Sequence, residues 1–490
     1  MKKKYILLSL FCFFGTAALY SQTYLQDTIV SGLISPVAFD FAPDGRIFVT
    51  QKGGTVQQAV NANIKVYSPS GNFLGVFYDL SDSVDADFER GLLGIAIDPD
   101  FTANHFVYVY YVHLLNGDER IRIARFTESN NAGTNPTVIF DIDVPDNLPG
   151  IHFGGNLHFR PSEPNELYFT IGDLGSDQYD SLLNNAPKLN SYSGKTLRIN
   201  KDGTVPADNP FYDDGNIYTG NCDIIWSYGH RNPFDFCFSP VSDSMYCSEN
   251  GLITWDEMNM IHRGREYGWN ECEGFYLNGS VTQLCDDTNA VAPMVTWGAP
   301  LPAVTGILYY SGTVMPEFDN HLLVADNDYG QIYDLALGNA PFYDTVLSKT
   351  TWIDLTPGQG GLTTLKQGSD GCIYAMHGGY APDGSIIRVC PGWMGVEANA
   401  NPPAMELRAG PNPFGNETTI SYRLLQETAV SLQLYDVFGR LVAVLVSERE
   451  QAGMHSLKIN AEQYGLAAGT YCCVLTAGTS VATVKLSAGK

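Results

Sequence analysis

Residues Val37-Ala38-Phe39-Asp40-Phe41-Ala42-Pro43-Asp44-Gly45-Arg46-Ile47-Phe48-Val49-Thr50-Gln51 read as two alternating strands joined by a Pro-Asp-Gly turn. Period-2 alternation on both sides of that turn chemistry specifies a β-hairpin. The unit returns as LGIAIDPDFTANHFVYVYYV (93–112), LHFRPSEPNELYFTIGD (157–173), FCFSPVSDSMYCSEN (236–250) and LTTLKQGSDGCIYAMHG (362–378). A weaker copy is ILYYSGTVMPEFDNHLLVADN (307–327). The copies begin about fifty to eighty residues apart, with no long amphipathic helix between them. Repetition at that spacing, with room for four strands per repeat, predicts an all-β protein built on a six-bladed β-propeller. An array of two-sheet sandwiches competes, but gives no reason for the same turn to recur so regularly.

Composition agrees. Among 490 residues are 28 tyrosines, 25 phenylalanines and 49 glycines, a mixture suited to strands and tight turns. The chain opens Met1-Lys2-Lys3-Lys4 and runs apolar from Tyr5 to Leu19, which reads as a secretory signal peptide at 1–21 and is too short for a transmembrane anchor. No later stretch approaches a membrane span. A formal charge of −25 argues against nucleic acid and anionic membranes as partners and is compatible with divalent cations, although self-repulsion for solubility explains most of it. In an oxidising compartment Cys237 with Cys247, Cys272 with Cys285 and Cys372 with Cys390 are expected disulfides, and no cysteine spacing fits zinc.

After Cys390 the texture changes. The propeller is expected at 22–392 and a proline- and asparagine-bearing linker at 393–406. The tail, 407–490, carries six or seven short alternating strands and predicts a small immunoglobulin-like sandwich. Pro411-Asn412-Pro413-Phe414, the strand TTISYRL, the run Leu434 to Arg440 and Ala468-Gly469-Thr470-Tyr471 resemble a type IX secretion C-terminal sorting domain. The resemblance implies the type IX machinery as a partner, export through periplasm and outer membrane, and a secreted or surface-attached product.

Several stretches could carry chemistry. Ile151-His152-Phe153-Gly154-Gly155-Asn156 sets a histidine before two glycines that allow close backbone approach or positive φ. A surface-loop histidine is the plain alternative. Tyr228-Gly229-His230-Arg231-Asn232-Pro233 offers a planar fork and an amide suited to carboxylates and quinone oxygens, or a charged loop at a blade edge. Ser248 to Leu252, Asp256-Glu257-Met258-Asn259 and Arg265 to Asn270 combine acids with carbonyl-rich turns that suit calcium, or form an exposed acidic loop. Ser193-Gly194-Lys195-Thr196 lacks the upstream glycine of a phosphate loop.

Taken in order, GLLGIAIDPDF, His152 with GGNLHF, TIGD, GKTLRIN with VPADNPF, YGHRNP, and DEMNMI with YGWN resemble the glucose/sorbosone dehydrogenase family. They are most similar to its soluble, pyrroloquinoline-quinone (PQQ)-dependent aldose sugar dehydrogenases. The resemblance implies a PQQ- and Ca²⁺-dependent oxidation of aldoses at C1 to lactones, with a sugar and an external electron acceptor as partners. It implies His152 as general base, oriented by Asp173; Arg231, Asn232 and Glu89 at the quinone; Gly251 and Leu252 giving carbonyls to its calcium; and Glu257 and Tyr267 at a separate calcium. The chain departs from the family pattern at Ile151, at Asp328-Tyr329-Gly330, where a lysine is expected, and at GGLTTLK, where two arginines are. Those departures motivate a second reading: a non-catalytic propeller resembling hedgehog-interacting-protein-like chains, binding glycan or protein. A propeller hydrolase is a third reading, and it lacks a second positioned acid or nucleophile near His152.

Overall fold

The computed structural model describes residues 24–54, 61–145, 148–175, 184–285, 289–379, 383–392, 407–424, 426–436, 440–477 and 480–489. The expected signal peptide and linker lie outside the described residues. The described residues between 24 and 392 form one two-stranded sheet, Cys272–Glu273 with Tyr276–Leu277, and six four-stranded sheets. Their first strands are Pro36–Phe41, Leu92–Ile97, Leu157–Arg160, Pro233–Phe238, Val304–Tyr310 and Leu362–Gln367. Each first strand packs against the next, and the sixth packs against the first, so the arrangement closes into a propeller-like ring.

Burial grades outward from that ring. Leu92–Ile97 is buried at every position and reads as an unbroken apolar run, whereas the fourth strand Thr345–Asp354 is mostly exposed. The ring is completed from both ends of the region, because Tyr24–Leu33 pairs antiparallel with Gly384–Pro391, from Tyr24 opposite Pro391 to Leu33 opposite Gly384. The weak repeat at 307–327 is a full member, its turn built on a short 3₁₀ helix at Pro316–Phe318.

Five of the six first strands carry a register shift near their starts, between Pro36 and Phe39, Leu92 and Gly94, Pro233 and Asp235, Val304 and Ile307, and Leu362 and Thr364. A bulge re-aims side chains, and here the bulges cluster at one end of the ring.

Two expected disulfides are formed, Cys272–Cys285 and Cys372–Cys390. The third is not: Cys237 and Cys247 are both free. Cys237 pairs with Tyr246 and Cys247 with Phe236, so the cysteines are offset by one residue and point to opposite faces of the sheet. The tail forms a three-stranded sheet of Leu407–Gly410, Glu417–Leu424 and Gly453–Asn460. A four-stranded sheet holds Thr428–Asp436, Leu441–Glu450, Gly469–Ala477 and Ser480–Ala488. Ile420, Tyr422, Leu432, Leu434, Ile459 and Leu475 make its core.

Candidate active site

A cavity lies on the axis of the ring, at the bulged end of the first strands. Its walls come from all six sheets or the loops entering them, including Ala38, Leu93, Asn156, Asn232, Thr305 and Thr364. Lys52, Glu89, Phe153, Gly154 and Asn250 also line it. Deeper in the ring, charged groups from four first strands meet. His158 Nε2 is 2.9 Å from Asp235 Oδ1, and Lys366 Nζ is 3.6 Å from Asp40 Oδ1. Burial, followed by the Lys366 charge, lowers the His158 pKa.

The loop His152 to Gly155 enters the third sheet with φ of +62° at His152, +58° at Gly154 and +109° at Gly155. A Cβ at Gly155 would meet Leu93 and Tyr110, so only glycine lets this loop lie against the second sheet. His152 is 5% exposed, and its Nδ1 lies 2.6 Å from Asp173 Oδ1. Facing a carboxylate, Nδ1 donates, which leaves the lone pair on Nε2. The His152 N–H donates to Glu89 Oε2 at 2.5 Å, holding a left-handed residue in place through a carboxylate that also lines the cavity.

Asp173 has no exposed surface. Its Oδ1 also accepts from the Gly175 N–H at 2.8 Å, and its Oδ2 from the Trp269 Nε1–H at 2.8 Å. Its own N–H donates to Arg231 O at 2.6 Å. A Cβ on the preceding Gly172 would meet both His152 O and Arg231 O, so the two site loops converge on that glycine.

Arg231 is 7% exposed; its N–H donates to Glu249 Oε1 at 2.6 Å and its Nη1 to Asn250 O at 3.0 Å. Burial lowers its pKa, opposed by the charges of Asp173, Glu273, Glu89 and Asp256. His230 beneath it is fully buried, 2.8 Å from Glu249 Oε2 through Nδ1 and 2.8 Å from Ser227 Oγ through Nε2. Asn232 donates to Asn250 Oδ1 at 3.0 Å, and Asn250 donates to Val304 O at 2.7 Å, tying the fourth sheet to the fifth. Asn232 Oδ1 is buried with no partner among the described residues, and Asn232 lines the cavity. An orphaned acceptor beside a cation fits a polar, anionic ligand with a donor of its own.

Gly251 and Leu252 continue from Asn250. The Gly251 N–H donates to Asp256 Oδ1 at 2.9 Å. One oxygen of Glu273, Oε1, accepts the backbone N–H groups of Leu252, Ile253, Thr254 and Trp255 at 2.7, 3.0, 3.0 and 3.1 Å. Gly251 has to be glycine, because a Cβ would strike Trp255 O.

Glu257 sits opposite Glu249 on the neighbouring strand. It accepts from the Gly274 N–H and from Asn259 Nδ2. Its pKa is pushed up to about 8 by burial and then by Glu249. The Tyr267 ring stacks on His230 with centroids 4.6 Å apart, and His230 in turn contacts Glu249, the residue opposite Glu257. Among the described residues two three-membered side-chain clusters have metal-binding proximity, Asp213 with Asp214 and Asp223, and Asp370 with Cys372 and Cys390, whose sulfurs are spent in a disulfide; neither contains Glu257. Glu273 Oε2 and Asn259 Oδ1 are nevertheless buried without partners among the described residues, a surplus of hard oxygen that fits calcium.

The family model described as Glucose / Sorbosone dehydrogenase matches residues 33–388. The chain belongs to the glucose/sorbosone dehydrogenase family. The model for the secretion system C-terminal sorting domain matches 410–488, so the tail is such a domain. An uncharacterised Synechocystis protein is 29% identical over 357 residues, covering 71% of this chain and 82% of that protein. Quinoprotein glucose dehydrogenase B of Acinetobacter calcoaceticus is 31% identical over 276 residues, 52% of this chain and 54% of that one, so the match spans about half of that relative. The PQQ-bound aldose sugar dehydrogenase of Streptomyces coelicolor shares the fold, with a TM-score of 0.57 at 24% identity, covering 75% of this chain and 98% of that one.

Four residues of the site went unassigned from sequence. Trp269 stands inside the motif YGWN, but nothing in its spacing says that its indole reaches Asp173. Glu273, beside a disulfide cysteine, and Glu249 are placed by long-range folding alone. Lys52 follows a strand as an ordinary basic residue, yet it is 5% exposed, lines the cavity, donates to Ala86 O at 2.7 Å and has its pKa lowered to about 8 by burial.

Proposed function

We propose that this chain is a secreted, PQQ- and calcium-dependent dehydrogenase that oxidises aldoses at C1 to lactones. We place a signal peptide at 1–21, a six-bladed propeller at 22–392, each four-stranded sheet being one blade, and an immunoglobulin-like sorting sandwich at 407–490. The sorting domain supports delivery by type IX secretion to the cell surface or medium, with a sugar and an external electron acceptor as reaction partners.

The observation that carries the catalytic reading is the His152–Asp173 pair packed beside the Arg231–Asn232 loop, next to the axial cavity that Phe153, Gly154 and Asn232 line. When bound, the quinone supplies the hydride acceptor, with calcium as the Lewis acid beside it. Arg231, Asn232 and Glu89 would hold the quinone, and the carbonyls of Gly251 and Leu252 would hold its calcium. Glu257 and the carbonyl of Tyr267 would hold a separate calcium. His152 Nε2 takes the proton of the C1 hydroxyl as C1 gives up its hydride, so the C1–O bond becomes the lactone carbonyl. Asp173 fixes the imidazole tautomer and stabilises the imidazolium that forms.

The test is reconstitution of the mature chain with PQQ and Ca²⁺, followed by calorimetry and by turnover of aldoses with an artificial electron acceptor. Tight quinone binding with turnover supports the reading. The alternative, a non-catalytic propeller binding glycan or protein, is favoured by one observation: Asn327, Thr363, Thr364 and Gly379 on the far wall carry no basic side chain. It requires no quinone binding even in saturating Ca²⁺, and tight binding rules it out.

A further inference from the structure

Trp269 joins two parts of the site that lie on different loops. Its Nε1–H donates to Asp173 Oδ2 at 2.8 Å, and its ring lies against the Arg231 guanidinium, whose Cζ is 5.5 Å from the ring centroid. The residue is 3% exposed. The other oxygen of Asp173 serves His152 Nδ1 and the Gly175 N–H, so the indole is the one donor seen on Oδ2 among the described residues. A carboxylate held through one oxygen can rotate about its Cβ–Cγ bond; held through both, it cannot.

The indole is itself held. The Trp269 N–H donates to Gly229 O at 2.9 Å, the Tyr267 N–H donates to Tyr228 O at 3.0 Å, and the Cys272 N–H donates to Gly268 O at 2.9 Å. The Cys272–Cys285 disulfide closes the segment three residues beyond. Strand-end backbone and a covalent link therefore fix the ring, the ring fixes Asp173, and Asp173 fixes His152.

We propose that Trp269 is the positioning residue that sets the base and the guanidinium relative to each other, through its hydrogen bond to Asp173 and its ring against Arg231. This rests on the dehydrogenase reading for its kinetic consequence, but not for its physical one. Trp269→Phe keeps a ring against Arg231 and deletes the donor. Freed of the indole, Asp173 leans its charge toward His152, and the Nδ1–H resonance of His152 moves downfield in the histidine-labelled, cofactor-free chain. In the reconstituted enzyme kcat falls about tenfold while KM stays within about twofold, the pattern for loss of an outer hydrogen-bond partner.

A second variant covers the case in which Trp269→Phe fails to fold. Asp173→Asn removes the charge that the indole faces, and the Trp269 indole N–H resonance then moves upfield. An unmoved His152 signal in a folded Trp269→Phe chain, or an unmoved indole signal in Asp173→Asn, overturns the proposal, because a ring that merely fills space changes neither. If the wild type shows no turnover while both signals move, the positioning role stands and the dehydrogenase reading falls. If turnover is present and the signals stay, the reverse holds.

Discussion

The third and fourth sheets meet the cavity with loops carrying His152, Arg231 and Asn232, backed by Asp173 and Glu249, whereas the fifth and sixth meet it with Thr305, Asn327, Thr363 and Thr364. Both walls are polar, but their polar groups face different work. Thr363 and Thr364 donate to Val37 O at 2.7 and 2.8 Å, and Thr305 donates to Leu362 O at 2.6 Å. Those hydroxyls stitch one sheet to the next. On the opposite wall Asn232 leaves a buried acceptor without a partner among the described residues, and His152, next to the lining residue Phe153, keeps a ring nitrogen beyond the one spent on Asp173. One wall therefore brings a histidine–carboxylate pair and a guanidinium to the site and the other mainly hydroxyls that close the ring. Asp326 Oδ2 and His377 Nε2 on the fifth and sixth sheets are also buried without partners among the described residues.

The largest test of that contrast is Asp173→Asn, expected to lower kcat about a hundredfold or more with little change in KM, because the amide neither fixes the tautomer nor stabilises the imidazolium. Steady-state kinetics of the reconstituted enzyme measure it. Next comes Glu273→Gln. The neutral amide is a poorer acceptor for four N–H groups, and Ca²⁺ affinity read by calorimetry is expected to fall about tenfold as the turn after Gly251 loosens.

Lys52 gives a smaller, pH-dependent effect. Its pKa is lowered to about 8, so it is charged below that pH and neutral above it. Affinity for an anionic ligand in the cavity should fall as pH rises through about 8. Lys52→Met should bind several-fold more weakly at pH 7 and lose this slope, as quinone titrations between pH 6.5 and 9 would report. Smallest is Thr363→Val on the stitching wall. Quinone affinity should stay within about twofold while stability drops by about 1 kcal/mol for the lost hydrogen bond, seen in denaturant melts. A large affinity loss there would erase the difference between the walls.

Much of the fold was legible because its signal is local. Each hairpin carries its own alternation and a turn rich in Pro, Asp, Asn or Gly, so five repeats read clearly and the sixth, whose turn is Pro316–Phe318, read weakly. The strand Tyr24–Leu33 shows why closure was less legible: its partner lies at the far end of the region. The Cys237–Cys247 expectation failed because a hairpin's register, not its spacing, decides which face each cysteine takes. In the site, His152, Asp173, Arg231 and Asn232 could be placed from ordered motifs, and they do come together. Trp269, Glu249 and Glu273 could not: their contacts, 96, 18 and about twenty residues away, are encoded by no local pattern, and, unlike the His152–Asp173 pair, 21 residues apart, they had no motif that assigned them a role.

The most direct test of the central claim is the ratio of aldose turnover by the PQQ- and Ca²⁺-reconstituted wild type to that of His152→Ala, measured with an artificial electron acceptor at saturating sugar. With His152 as the base, the wild type turns over and the variant is slower by about a thousandfold, while its quinone affinity is little changed. A wild type without turnover, or a variant as fast as the wild type, contradicts the account.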